Sequence, residues 1–295
     1  MGFPHIHMRS KTQNPLNMKL LLLGIFLAFL LLFVLRSNLS SAPESPSPTN
    51  QDPPSEEIQS GLTTTCSQCS KLPASVSQAL VHYATSNITP QQTASEISVS
   101  SRVLERKSPC NFLVFGLGHD SPMWAALNYG GRTVFLEEDK AWIEQVTTKF
   151  PGLETYHVVY DTKVRHADDL MKVGQQDDCT VVGDARFSKC GLALKGVPSD
   201  VYEVEWDLIM VDAPTGYFSD APGRMGAIYT AGMMARYRKD GETDVFVHDV
   251  DRTVEDKFSK AFLCKGYMSQ QEGRLRHFTI PSHRDSSDKP FCPKR

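Results

Sequence analysis

Gly116-Leu-Gly118, Glu137-Glu138, Asp212 and His248-Asp249 are the groups of this 295-residue chain whose types and spacing suit chemistry. Two glycines separated by one residue let the backbone approach a ligand closely. Glu137 stands 21 residues beyond Gly116, a separation at which an acid commonly accepts from ribose hydroxyls. Glu138 carries the same expectation one residue out of register. Ser121 replaces the third glycine of a dinucleotide fingerprint, which disfavours a nicotinamide cofactor and suits a ligand lacking a pyrophosphate. Taken alone, the glycines are equally consistent with a tight turn. Asp212, His248 and Asp249 each close an apolar run, where they could act as a general base or hold a divalent metal. The plainer alternative is that Asp212 caps a loop and the other two merely end a strand.

These groups need elements to position them. Residues 111–115 (NFLVF) read as a strand buried on both faces, followed by the glycine turn and a helix from Met123. Further strands are expected at Arg132–Leu136, Thr155–Tyr160, Trp206–Val211 and Asp244–Val247, with helices over Ala141–Lys149, Arg224–Arg236 and Val254–Phe262 between or after them. Two helices precede the first strand. One carries Leu72, Val76, Ala79, Leu80 and Tyr83 at helical spacing; the other is announced by Thr89-Pro90-Gln91-Gln92 as a cap. Gly266–Ser269 and Leu275–Ile280 bracket Glu272-Gly273 and read as a closing antiparallel hairpin. The alternation gives an α/β class: a doubly wound, Rossmann-like sheet with a terminal hairpin, which binds ligands outside the carboxyl ends of its strands.

The surroundings of this domain are also legible. Hydrophobic residues form 40% of the chain and charged ones 22%, so a packed core is within reach, and the net charge of −3 argues against nucleic acid as a partner. Leu20–Leu35 is an unbroken apolar run between Lys19 and Arg36, longer than a signal-peptide core and without an adjacent cleavage pattern. It reads as an uncleaved signal-anchor. Basic residues ahead of it place the N-terminus in the cytoplasm and the rest in a lumen. Its rise of about 24 Å suits a thin early-secretory bilayer, and a single-pass type II protein of the Golgi membrane is the expectation. The chain thus divides into a cytoplasmic tail (1–19), a transmembrane signal-anchor (20–36), a Pro/Ser-rich lumenal stem (37–71), a globular domain (72–284) and a C-terminal tail (285–295). Of the seven cysteines, Cys66-Ser-Gln-Cys69 lacks further zinc ligands, Cys179 and Cys190 could close a short loop, and Cys264 could hold the tail through Cys292; spacing alone does not fix the connectivity.

The runs at 111–120 (NFLVFGLGHD), 130–139 (GGRTVFLEED), 156–163 (YHVVYDTK), 205–217 (EWDLIMVDAPTGY), 221–225 (APGRM) and 244–249 (DVFVHD) resemble the plant glucuronoxylan 4-O-methyltransferases, related to the irregular-xylem proteins, over about residues 70–292. The resemblance implies an S-adenosylmethionine-dependent Golgi enzyme that methylates O4 of glucuronic acid side chains of xylan in secondary cell walls. It implies a seven-stranded methyltransferase sheet with a terminal hairpin. Gly116, Gly118, Glu137, Glu138 and Asp161 become the cofactor-side candidates. The polysaccharide, the Golgi membrane and other xylan-synthesis enzymes become the expected partners. Relatives acting on arabinogalactan, and others supporting xylan deposition without catalysis, share much of the pattern.

Methyl transfer to a sugar hydroxyl needs positioning plus a base or a metal that activates the oxygen. Asp212, His248 and Asp249 are the catalytic candidates, and Asp212 and Asp249 the metal candidates. An acidic acceptor calls for a cation, and Arg224 is the best placed for a bidentate grip on its carboxylate, with Arg274, Arg276 and Lys163 as rivals. Trp124, Trp142 and Trp206 could stack on sugars, although core packing suits their positions better. Against a non-catalytic scaffold stands the joint presence of Gly116, Gly118, Glu137, Asp212 and Asp249.

Overall fold

Phe112 and Val114 face one side of their strand, Leu113 and Phe115 the other, and all four are buried. A strand with two apolar faces has to be covered on both, and helices do this here. The computed structural model describes residues 72–284 and 289–293. In chain order its main elements are α1 (Ala74–Thr85), α2 (Ala94–Lys107), β1 (Asn111–Phe115), α3 (Ser121–Leu127), β2 (Arg132–Glu137), α4 (Lys140–Lys149), β3 (Glu154–His157), α5 (Ala167–Gly174), α6 (Ser199–Tyr202), β4 (Leu208–Val211), α7 (Met225–Tyr237), β5 (Glu242–Val247), α8 (Thr253–Phe258), β6 (Met268–Glu272) and β7 (Leu275–Pro281). The seven strands form one sheet in the order β3-β2-β1-β4-β5-β7-β6. β1 to β5 pair in parallel, whereas β7 runs antiparallel to β5 and β6 antiparallel to β7. This is the doubly wound sheet with a terminal hairpin that the sequence led us to expect.

Period-two alternation divides the core into two layers. Leu113, Phe115, Ile209, Val211, Val245 and Val247 face α7, a helix buried on nearly every side. Phe112, Val114, Met210 and Phe246 face α2 and Trp124 of α3. Each large side chain buried this way contributes about 1.5–3 kcal/mol.

Four details differ from the reading of the sequence: β3 ends at His157 rather than Tyr160, β6 spans Met268–Glu272 rather than 266–269, and the first two helices differ as well. α1 forms, but it buries Ala79 and His82, and Leu72, Leu80 and Tyr83 are exposed. The cap of α2 lies at Thr93, four residues after Thr89. There Thr93 and Glu96 exchange both bonds of a capping box, whereas Gln92, which would close the same box with Thr89, donates to Asp212 instead. Disulfides join Cys179 to Cys190 and Cys264 to Cys292, and Cys110 is a buried free thiol. Among the described residues no helix is long and apolar enough to cross a membrane. The span at 20–36, the tail and stem around it, and Cys66 and Cys69 lie outside the described residues.

The seam between β1 and β2 depends on Asn128, which is fully buried. Its side chain accepts from the Cys110 amide at 3.0 Å and donates to the Cys110 carbonyl at 2.9 Å and to the Thr133 hydroxyl at 3.0 Å. Asn128→Ala should therefore cost about 1–3 kcal/mol, because it strands the Cys110 N–H without water. Urea denaturation should show a lower midpoint with an unchanged slope.

Candidate functional site

The chain winds from β1 outward to β3, then returns to β4 on the other side of β1. At that reversal the loops after β1 and β4 part, and a crevice opens at the strand ends. It measures about 710 Å³ and is lined by Gly116–Asp120, Glu137, Glu138, Asp212, Thr215–Tyr217, Arg224, Asp249, Arg252 and Arg274, with Gln91 and Gln92 from the segment before α2. Gly116 has φ +126°, and a Cβ there would lie 3.2 Å from Ala213 Cβ, so the β1 turn requires glycine. A Cβ on Gly118 would stand 2.6 Å from Asp120 Oδ1, so this glycine makes room for a carboxylate of its own loop.

The two acids after β2 are occupied with shaping that wall. Glu137 accepts from the amides of Leu117 (3.0 Å), Glu138 (2.8 Å) and Asp139 (3.0 Å). Burial pushes its carboxyl above the usual range although the amides oppose this. Glu138 accepts from the Thr215 amide at 2.9 Å, tying the β2 end to the β4 loop. Asp161 is exposed and outside the crevice lining.

Val211 pairs with Val247, so Asp212 and His248 are neighbours across β4 and β5. Nδ1 of His248 lies 2.9 Å from Asp212 Oδ1, and its Nε2 stands 3.8 Å from Glu96 Oε2 without a hydrogen-bond partner. His248 is fully buried and does not line the crevice, so it acts on Asp212 rather than on a ligand. Asp212 also receives Gln92 Nε2 on Oδ2 at 3.1 Å and Arg224 Nη2 on Oδ1 at 3.2 Å. Burial works to raise its carboxyl, but His248, Arg224 and Gln92 together hold it below the ordinary range.

Arg224, expected to grip a substrate, is turned onto the protein. Its side chain is 5% exposed, and it donates to Asp249 Oδ2 at 2.9 Å, the His248 carbonyl at 2.9 Å and the Pro214 carbonyl at 3.2 Å besides Asp212. Asp249, at φ +60°, further accepts from Arg252 at 3.0 Å and Arg274 at 2.7 Å. Those two guanidiniums, 30% and 38% exposed, are the more accessible of the arginines lining the crevice. Ligand atoms of Asp212, His248 and Asp249 lie within 4.8 Å of one another. All four carboxylate oxygens nonetheless already accept, and three guanidiniums crowd Asp249, so in this arrangement the set does not fit a divalent cation.

Sequence reasoning missed Gln92, Glu96, Asp120 and Arg252. Arg252 follows Asp249 at a spacing of three and was open to view. Gln92 meets Asp212 across 120 positions of chain, which no local pattern reports. Asp120 receives Trp124 Nε1 at 2.7 Å and contacts no cation among the described residues; burial and the nearby charge of Asp212 push its carboxyl up. Trp124 and Trp206 are core residues, and Trp142 donates to the Leu117 carbonyl at 2.6 Å.

A profile of the IRX15/IRX15L/GXM family matches residues 95–278. The chain is similar to "Glucuronoxylan 4-O-methyltransferase 3" of Arabidopsis thaliana, at 62% identity over 291 residues, 97% of this chain and 98% of that protein. It is also similar to "Arabinogalactan O-methyltransferase 2" of that plant, at 52% over 223 residues, covering 73% of this chain and 77% of the other. "Protein IRX15-LIKE", again from Arabidopsis thaliana, is 40% identical over 233 residues, covering 77% and 73%.

The depressed carboxyl of Asp212 makes the site sensitive to acid. A carboxylate whose folded value lies below its ordinary 3.8 contributes stability that is present above that pH and lost as the pH falls through the folded value. Urea denaturation of wild type and Asp212→Asn should show a gap that is steady from about pH 7 to about pH 4 and closes below. A gap independent of pH would mean that ionisation of Asp212 does not stabilise the fold.

Proposed function

We propose that this chain, which belongs to the IRX15/IRX15L/GXM family, methylates O4 of glucuronic acid side chains of glucuronoxylan with S-adenosylmethionine as the donor. The observation that carries this reading is 62% identity along nearly the whole length of a glucuronoxylan 4-O-methyltransferase, against 52% over about three quarters for the arabinogalactan enzyme. The crevice at the strand reversal supplies the place for it.

The residues present fit the cofactor. Gly116 permits the β1 turn that borders the crevice, Glu137 and Glu138 border the side where ribose hydroxyls are expected, and Asp120 offers a carboxylate to the cofactor's ammonium. When bound, S-adenosylmethionine supplies an electrophilic methyl group on a sulfonium. Asp212 is the strand-end acid that faces the crevice and the base for the O4 proton; His248 and Arg224 keep it ionised and fix its direction. Asp249 holds Arg252 and Arg274 at the crevice, where their remaining donors meet the acceptor's carboxylate. Most of the rate comes from this positioning, since an in-line displacement asks little else of the protein. No step is assigned to a metal.

Two disulfides among the described residues suit an oxidising lumen, and the apolar run at Leu20–Leu35 supports attachment to the Golgi membrane. Both belong to the proposal.

Methylation of glucuronoxylan by the full chain is the test, read as incorporation of a labelled methyl group at O4. Asp212→Asn should lower kcat by at least about 10²-fold with cofactor affinity kept. Arg252→Ala and Arg274→Ala should raise KM for the acceptor and leave that for the cofactor unchanged. A wild type that labels no glucuronic acid would overturn the reading.

A further inference from the structure

Tyr217 and Phe218 are the anomaly of the crevice rim. They are 74% and 48% exposed, yet the loop that carries them is held at several points. Thr215 donates its amide to Glu138 at 2.9 Å, Gly223 donates back to the Thr215 carbonyl at 2.9 Å, Ala221 to the Phe218 carbonyl at 3.1 Å and Arg165 to the Ser219 carbonyl at 3.0 Å. The two rings brace each other edge to face, with centroids 5.1 Å apart at 68°. A fixed loop thus presents two bare aromatic rings to water beside an opening, an arrangement that costs solvation unless something covers it.

We infer that Tyr217 and Phe218 form a stacking platform for the xylose units of the polysaccharide backbone that carries the reacting glucuronic acid. This rests on the function proposed above. The reacting sugar has to reach Asp212, whose side chain is only 17% exposed, so rings at the rim meet sugars beyond it. Xylopyranose units with equatorial substituents offer flat faces of C–H groups, which aromatic rings bind without charge. The rings are not acidic-ligand chemistry: the cations serving the carboxylate are Arg252 and Arg274, which line the same opening. Tyr83, 40% exposed, lines the same opening with its hydroxyl donating to the His119 carbonyl at 2.7 Å, and adds another aromatic ring to it. The platform makes the enzyme sensitive to acceptor length and gives it a means of preferring a linear xylan backbone.

The test is a ladder of glucuronoxylan oligosaccharides of increasing xylose number, assayed with the full chain. For wild type, kcat/KM should rise with length, mostly through KM. The Tyr217→Ala/Phe218→Ala double variant should lose about tenfold on the longest acceptors and little on the shortest, with cofactor affinity unchanged as evidence of an intact fold. Tyr217→Trp, keeping a ring, should retain the dependence on length. Equal loss at every length, a double variant whose slope matches wild type, or a wild type indifferent to length would each overturn the platform while leaving the methyltransferase reading standing. A wild type inert on the whole ladder would remove both.

Discussion

One buried guanidinium holds this site together. Arg224, at the entrance to α7, binds Asp212 at the end of β4 and Asp249 at the end of β5, and is itself buried. A charge taken out of solvent is tolerable only when paired and hydrogen-bonded, and removing one partner of such a pair costs about 3–5 kcal/mol. Three elements therefore share one position: the helix start cannot shift, nor either strand end, without stranding a charge.

The constraint spreads outward from there. Asp249 sits at φ +60°, a conformation that a short acidic side chain tolerates better than most, and from it collects Arg252 and Arg274. Asp212 collects His248 and Gln92. Behind His248 stands Glu96, which caps α2 with Thr93 and accepts from the Arg274 amide at 2.6 Å. The turn of the terminal hairpin is thus joined to the start of α2, and both stand behind the acid that faces the crevice. A structural network of this kind and a catalytic site are the same object here, since a base that must not rotate needs partners that cannot move.

The sheet was legible because its signal is local. Four consecutive apolar residues in β1 and β4 and three in β5 announce strands covered on both faces, and Gly116, Asp212 and His248 after them announce their ends. The same local signal marks Asp212, His248 and Asp249 as strand-end residues, and the pairing of β4 with β5 brings them side by side. What the sequence left open was how charges pair. Arg224 was read as a fork for a ligand because its place in the β4 loop was visible and its neighbours were not; with Asp212 and Asp249 beside it, the fork turns inward. Gln92 and Glu96 escaped because Asp212 and the Arg274 amide, which they meet, are distant in the chain. The face of α1 was misread because helical spacing reports periodicity, whereas burial depends on what lies opposite.

If Arg224 is the member on which the arrangement depends, its coupling to Asp249 has to be measurable in the protein's stability. A double-mutant cycle with Arg224→Met and Asp249→Asn, each variant of the full chain unfolded in urea at neutral pH, isolates that coupling; asparagine preserves both the shape and the left-handed backbone. The account predicts a coupling of at least about 2 kcal/mol. Additive effects, with a coupling indistinguishable from zero, would contradict it.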